Sequence, residues 1–121
     1  MANTAVWFDI PVTDLERAMK FYSDVFQIEL MPMEMGPDKM ALFPFEEGDV
    51  AGSLVQSPNH SPSSTGTVVY LNGGEDLSVP LGRVASAGGK VLKEKYSIGE
   101  HGFIAFFHDT EGNQVGLHSR Q

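Results

Sequence analysis

One pattern occurs twice in this chain. Near the start, the strand-like run Val6-Trp7-Phe8-Asp9-Ile10-Pro11-Val12 passes through Thr13-Asp14 into an amphipathic stretch, Leu15 to Phe26. In the second half, Thr67-Val68-Val69-Tyr70-Leu71 passes through Asn72-Gly73-Gly74-Glu75-Asp76 into Leu77 to Ala87, stopped by Gly88-Gly89. Each half continues with short apolar runs separated by turn residues. A duplicated strand-helix-strands unit predicts two modules whose concave faces share one pocket, so the repeat bears on function as well as fold.

The chain of 121 residues is one domain's worth and can bury a proper core. The repeat predicts module one at 1–57, a linker at 58–65 and module two at 66–121, within a single domain over 1–121. No apolar stretch approaches the roughly 20 residues that span a bilayer, and Met1-Ala2-Asn3-Thr4 lacks the character of a signal peptide. With no cysteine, disulfides, thiolate ligands and thiol nucleophiles are excluded together, and a cytoplasmic setting is expected. A formal net charge of −8 argues against nucleic acid as a partner, because that affinity rests on Lys and Arg neutralising phosphates.

Alternation in the first strand puts Val6, Phe8 and Ile10 on one face and Trp7, Asp9 and Pro11 on the other. Thr13 or Asp14 caps the following helix, and Leu15, Ala18, Met19, Tyr22, Val25 and Phe26 recur at the spacing of a buried stripe. That stripe should lie on the Val6/Phe8/Ile10 face. Three strands follow, at Glu29 to Met35, Met40 to Phe45 and Val50 to Gln56, parted by turn compositions. The linker Ser57-Pro58-Asn59-His60-Ser61-Pro62-Ser63-Ser64-Thr65 suits a flexible connection. In the second module Ser78 is the expected helix cap, which puts Pro80 in the first turn, where it is tolerated. Lys90 to Lys95, Gly102 to Phe107 and Gln114 to Ser119 read as strands, with Val115 and Leu117 towards the helices and Gln114, Gly116 and His118 facing away.

These residues carry a family signature. The run Ile10-Pro11-Val12-x-Asp14-Leu15-x-Arg17-Ala18-x-x-Phe21-Tyr22-x-x-Val25-Phe26 resembles the opening of vicinal oxygen chelate proteins, the superfamily of glyoxalase I, bleomycin-resistance proteins and extradiol dioxygenases. Asp109-Thr110-Glu111-Gly112-Asn113-x-Val115-Gly116-Leu117 is similar to that superfamily's closing hairpin, and Ala87-Gly88-Gly89-Lys90-Val91 to its second helix end. The resemblance implies an α+β fold of two tandem β-α-β-β-β modules forming a curved mixed sheet around a pocket, commonly as a homodimer.

The superfamily's enzymes hold a divalent metal with His, Gln or Glu from the first and last strands of each module. Motif spacing carries those positions to Trp7, to Ser53 with Gly52 as the alternative, to Thr67 and to Gly116. None is a strong ligand, whereas a catalytic metal needs about three. The resemblance so applied implies no metal and no other cofactor. Of the four histidines, His60 lies in the linker, His101 in a turn and His108 before a hairpin, and only His118 is assigned to the pocket side. Asp9 and His118, each two residues past a vacant position, are the candidate acid-base pair, since a carboxylate favours a protonated imidazole beside it.

The expected pocket lining is Trp7, Asp9, Ser53, Thr67, Val69, Gly116 and His118. The function expected is metal-independent binding of an unidentified small molecule, with Trp7 as an aromatic wall. The alternative is a lyase-, isomerase- or dioxygenase-type enzyme using relocated metal ligands or the Asp9/His118 pair.

Overall fold

A computed structural model describes residues 3–121. Two four-stranded mixed sheets, one from each module, share a single core. Module one contributes β1 (Trp7–Pro11), α1 (Leu15–Phe26), β2 (Met31–Met35), β3 (Asp38–Leu42) and β4 (Ala51–Gln56). Module two contributes β5 (Tyr70–Asn72), α2 (Ser78–Leu81), β6 (Lys90–Ser97), a 3₁₀ turn at Gly99–His101, β7 (Phe103–His108) and β8 (Gln114–Ser119). Strand order is β1-β4-β3-β2 in one sheet and β5-β8-β7-β6 in the other, the same order in both copies of the repeat. In each, the first strand runs parallel to the last and the remaining pairs are antiparallel.

Helix α1 occupies the span marked by its apolar stripe. Asp14 is the N-cap and its carboxylate accepts the Arg17 N–H at 3.1 Å. Leu15, Ala18, Phe21, Tyr22 and Val25 are buried. The Phe21 ring meets Tyr22 edge-on at 5.0 Å between centroids and leans on Phe107 of the second module at 5.8 Å. The stripe is therefore what joins the modules: one helix face packs on strands of its own sheet and on β7 of the other.

The second helix differs from expectation. Its regular part is a single turn, Ser78–Leu81, followed by turns rather than a helix to Ala87. Leu77, not Ser78, is the N-cap, and the Asp76 carboxylate accepts the Ser78 N–H at 2.9 Å. Pro80, in the first turn, lacks only a donor that would be unpaired there, whereas Gly82 directly after Leu81 costs backbone entropy and disfavours continuation of the helix. The segment ends where Gly88 adopts φ +107°, and a Cβ on Gly89 would meet the His108 carbonyl and the Phe21 ring. Only glycine lets the chain pass so close to the core.

The closing hairpin of module two fastens onto the start of α1. Glu111 accepts N–H bonds from Thr13 and Asp14, both at 2.9 Å, and a two-pronged contact from Arg17 at 2.7 and 2.9 Å. The Asn113 side-chain amide donates to the Pro11 carbonyl at 2.7 Å, while its Oδ1 accepts the Ser63 N–H at 3.0 Å. The Ser/Pro linker is thereby pinned at Ser63 to the same hairpin. No helix among the described residues is long and apolar enough to cross a membrane.

Candidate functional site

Register decides which side chains share a face. In the first sheet Trp7 stands opposite Ala51, Asp9 opposite Ser53 and Pro11 opposite Val55, on the face away from α1. Ile10 is buried in the core and Phe8 packs against it, as alternation requires, whereas Val6 is exposed beyond the strand. Trp7, Asp9 and Ser53 form one hydrogen-bonded group. The Trp7 Nε1–H and the Ser53 hydroxyl both donate to Asp9 Oδ1, at 2.8 and 3.0 Å, and Ser53 is fully buried beneath.

In the second sheet the outward row is Tyr70, Gly116 and Phe106, followed by Asn72, His118 and Ile104. Here the structure corrects the face reading of the fifth strand. Regular pairing begins at Tyr70 rather than Thr67, with the Gly116 N–H donating to the Val69 carbonyl at 2.9 Å just before it. Leu71 is buried in the core with Val69 packed against it, so Tyr70 is the residue that stands beside Gly116. A Cβ on Gly116 would run into the Tyr70 ring, which also meets Phe106 edge-on at 5.7 Å.

The two β-strand edges bound a groove of about 830 Å³, lined by Trp7, Phe8, Phe26, Phe43, Thr67 and Tyr70 among others. Trp7 and Tyr70 are 43 % and 49 % exposed, so neither aromatic residue is sealed into the core. Phe8 leans on Phe43 at 5.6 Å and covers Gly52, where a Cβ would clash with its ring. Aromatic walls with few polar groups suit an apolar or planar guest. A second, smaller cavity of about 200 Å³ lies between β1, β8 and the linker, lined by Asp9, Pro11, Ser63, Thr67, Val69 and Asn113.

Of the residues expected in one pocket, Trp7, Thr67 and Val69 border the groove, and Asp9, Thr67 and Val69 border the smaller cavity. Ser53 is sealed beneath Asp9, and Gly116 lies under Tyr70. His118 and Asp9 share no hydrogen bond. The His118 Nε2 lies 2.6 Å from the His101 carbonyl, which can only accept, so this nitrogen carries the proton and ties β8 to the 3₁₀ turn. Phe8, Phe26, Phe43 and Tyr70 were missed as lining residues. Phe8 and Phe26 read as core, Phe43 lies in a strand given no face, and a run apolar on both sides gives Tyr70 no phase.

The four positions to which the resemblance carries metal ligands can now be tested against this geometry. An indole N–H only donates, and that of Trp7 is already bonded to Asp9. Ser53 is buried and bonded, Thr67 borders both cavities with only a neutral hydroxyl, and Gly116 has a tyrosine ring where a ligand's side chain would start. This donor set does not fit a divalent ion, and among the described residues no three His, Asp or Glu side chains converge to hold one.

The family model described as Glyoxalase/Bleomycin resistance protein/Dioxygenase superfamily matches residues 4–117. The chain belongs to this superfamily. It is 37 % identical over 118 residues to a glyoxylase-like domain-containing protein of Didymella fabae, covering 93 % of this chain and 90 % of that one. Maize (Zea mays) glyoxalase I superposes with a TM-score of 0.73 at 23 % identity, over 95 % of this chain and 45 % of the maize chain. An antibiotic-binding protein from a Streptomyces species superposes with a TM-score of 0.67 at 23 % identity, over 98 % of this chain and 97 % of that one. The chain spans about half the length of the maize enzyme and of the mycobacterial relatives it matches. The superfamily fold is shared with the maize and Streptomyces structures.

Proposed function

We propose that this glyoxalase-like chain is a metal-independent binder of apolar, aromatic small molecules that has lost the superfamily's metal ligands. The observation that carries the reading is the pairing of Trp7 and Tyr70. Trp7 stands at one carried-over ligand position, Tyr70 covers another, and both half-exposed rings line the same 830 Å³ groove. A stacked ring adds about 0.5–1.5 kcal/mol beyond its area burial, so two such walls favour planar guests. The antibiotic-binding Streptomyces protein, with the same fold over nearly its whole length, supports a binding role for this architecture.

We also place the protein in the cytoplasm, which suits a chain without cysteine, and as a homodimer. Leu92, Tyr96 and Ile98 support association, being large apolar residues left exposed on and beside β6. Light scattering at micromolar concentration should return twice the chain mass. A monomer mass would remove the dimer without touching the groove.

Metal analysis with thermal denaturation tests the reading against the enzyme alternative. Protein purified without chelators should carry no stoichiometric divalent metal, and adding Mg²⁺, Mn²⁺, Ni²⁺ or Zn²⁺ to EDTA-treated protein should leave the melting temperature unchanged. A ligand at 100 times its Kd stabilises a folded protein by about 2.7 kcal/mol. A stoichiometric metal with a raised melting temperature would overturn the proposal and favour a metalloenzyme.

A further inference from the structure

The aromatic groove and the smaller cavity beside β1 meet along the seam between the modules, where Thr67 and Val69 line both. Across the two linings Asp9 is the single charged side chain, and no lysine, arginine or histidine is among them. Asp9 is exposed and forms no ion pair among the described residues. It is nonetheless held in place. The Trp7 Nε1–H and the Ser53 hydroxyl both donate to Oδ1, at 2.8 and 3.0 Å, and no hydrogen bond among the described residues reaches Oδ2.

A fixed carboxylate with free lone pairs at the edge of a cavity accepts a donor, and a charged donor makes the shorter and stronger bond. The bond to Trp7 sets where that donor sits on a guest. The indole nitrogen is 2.8 Å from Asp9 Oδ1, so a ring stacked on Trp7 lies beside the carboxylate. Stacked rings are about 4.5–7 Å apart between centroids, so an arm of one or two carbons carries an amino group from such a ring to Asp9. The net charge of −8 adds a field that favours a cation at this position.

We propose that the preferred guests of the groove are protonated arylalkylamines, with the ring held at Trp7 and Tyr70, the ammonium bound by Asp9, and the Thr67 hydroxyl oxygen as a second acceptor. The inference rests on the binding role proposed for the groove and narrows it. The aromatic walls take a ring whatever its substituent, and Asp9 selects among guests by their end group. Because Asp9 is exposed, the selection is modest, about fivefold.

Titration calorimetry at neutral pH and low salt compares 1-naphthylmethylamine with 1-naphthalenemethanol, which share ring and arm and differ in charge. The parent protein should bind the amine about fivefold more tightly, and added salt should shrink that preference. Asp9→Asn keeps an acceptor for Trp7 and Ser53 and should bring the two affinities together. Glu16→Gln, which removes the same charge from α1, should keep the preference. Equal binding of the two compounds by the parent protein would overturn the inference and leave the groove standing. So would a preference that survives Asp9→Asn or disappears in Glu16→Gln. Binding of neither compound would remove the groove reading and this inference together.

Discussion

The Tyr22 hydroxyl donates to the Asp109 carboxylate at 2.7 Å, joining the middle of α1 to the closing hairpin of the other module. Burial first, then the Asp109 charge and this hydrogen bond, push the phenol well above its ordinary range. Asp109 is itself buried and also accepts the Glu111 and Asn113 N–H groups, at 2.8 and 2.9 Å. The family's hairpin motif is thus an internal clasp in this chain, and it sets the module interface behind the groove.

Removing the phenol tests that clasp. Tyr22→Phe keeps the ring packing on Phe21 and Phe43 but leaves a buried carboxylate one donor short. The expected loss is about 1–3 kcal/mol, read as a lower midpoint in urea denaturation with an unchanged slope.

Acid should loosen the same clasp through Glu111. Burial alone would raise its carboxyl pKa, but hydrogen bonds from Arg17, the Asp14 N–H, Thr110 and Thr13 outweigh burial and hold it at about 2, below the ordinary 4.5. Because the folded value is depressed, the stabilisation is complete above pH 4.5 and is lost as pH falls towards 2. Glu111→Gln should lower stability at neutral pH and flatten its dependence across that window, measured by denaturation at successive pH values. Asp76, held at about 2 by the Ser78 N–H and Lys95, titrates in the same window, so some slope should remain in the variant.

Core and groove residues should separate by mutation. Phe21 is fully buried, and Phe21→Ala should cost about 3–5 kcal/mol through transfer and cavity terms. Trp7→Ala and His118→Ala should each change the denaturation midpoint far less, since Trp7 is half-exposed and His118 bonds only to a loop carbonyl. Of these two, only Trp7→Ala should weaken binding in the groove.

Gly116→Ala probes the second aromatic wall. The added methyl must displace the Tyr70 ring, which has open space because it is half-exposed. The expected outcome is a folded protein, shown by an unchanged far-UV spectrum, with weaker binding of a planar ligand in the groove.

Much of this architecture was legible in the amino-acid sequence. Leu15–Phe26 and Gln114–Ser119 coincide with α1 and β8, because a clean stripe and a turn-bounded alternating run each allow one phase. Tyr70 was not legible as a groove residue: a three-residue strand inside an apolar run leaves its faces to tertiary packing. The partners of Asp109, Glu111 and Asn113 were equally hidden, since hydrogen bonds across the module boundary leave no local periodicity. The Asp9/His118 pair failed to form because each side chain found a nearer partner, Trp7 and Ser53 for one and the His101 carbonyl for the other.

The most direct measurement uses Trp7, the single tryptophan of the chain, as its own reporter. EDTA-treated protein is titrated with 1-anilinonaphthalene-8-sulfonate, an aromatic probe with a large apolar surface and one sulfonate, while indole emission is followed. Saturable quenching is expected, with the same midpoint before and after EDTA treatment and a weaker one in Gly116→Ala. Binding that vanishes with EDTA and returns with Zn²⁺ or Ni²⁺ would contradict a metal-independent groove, and so would the absence of any saturable change in Trp7 emission.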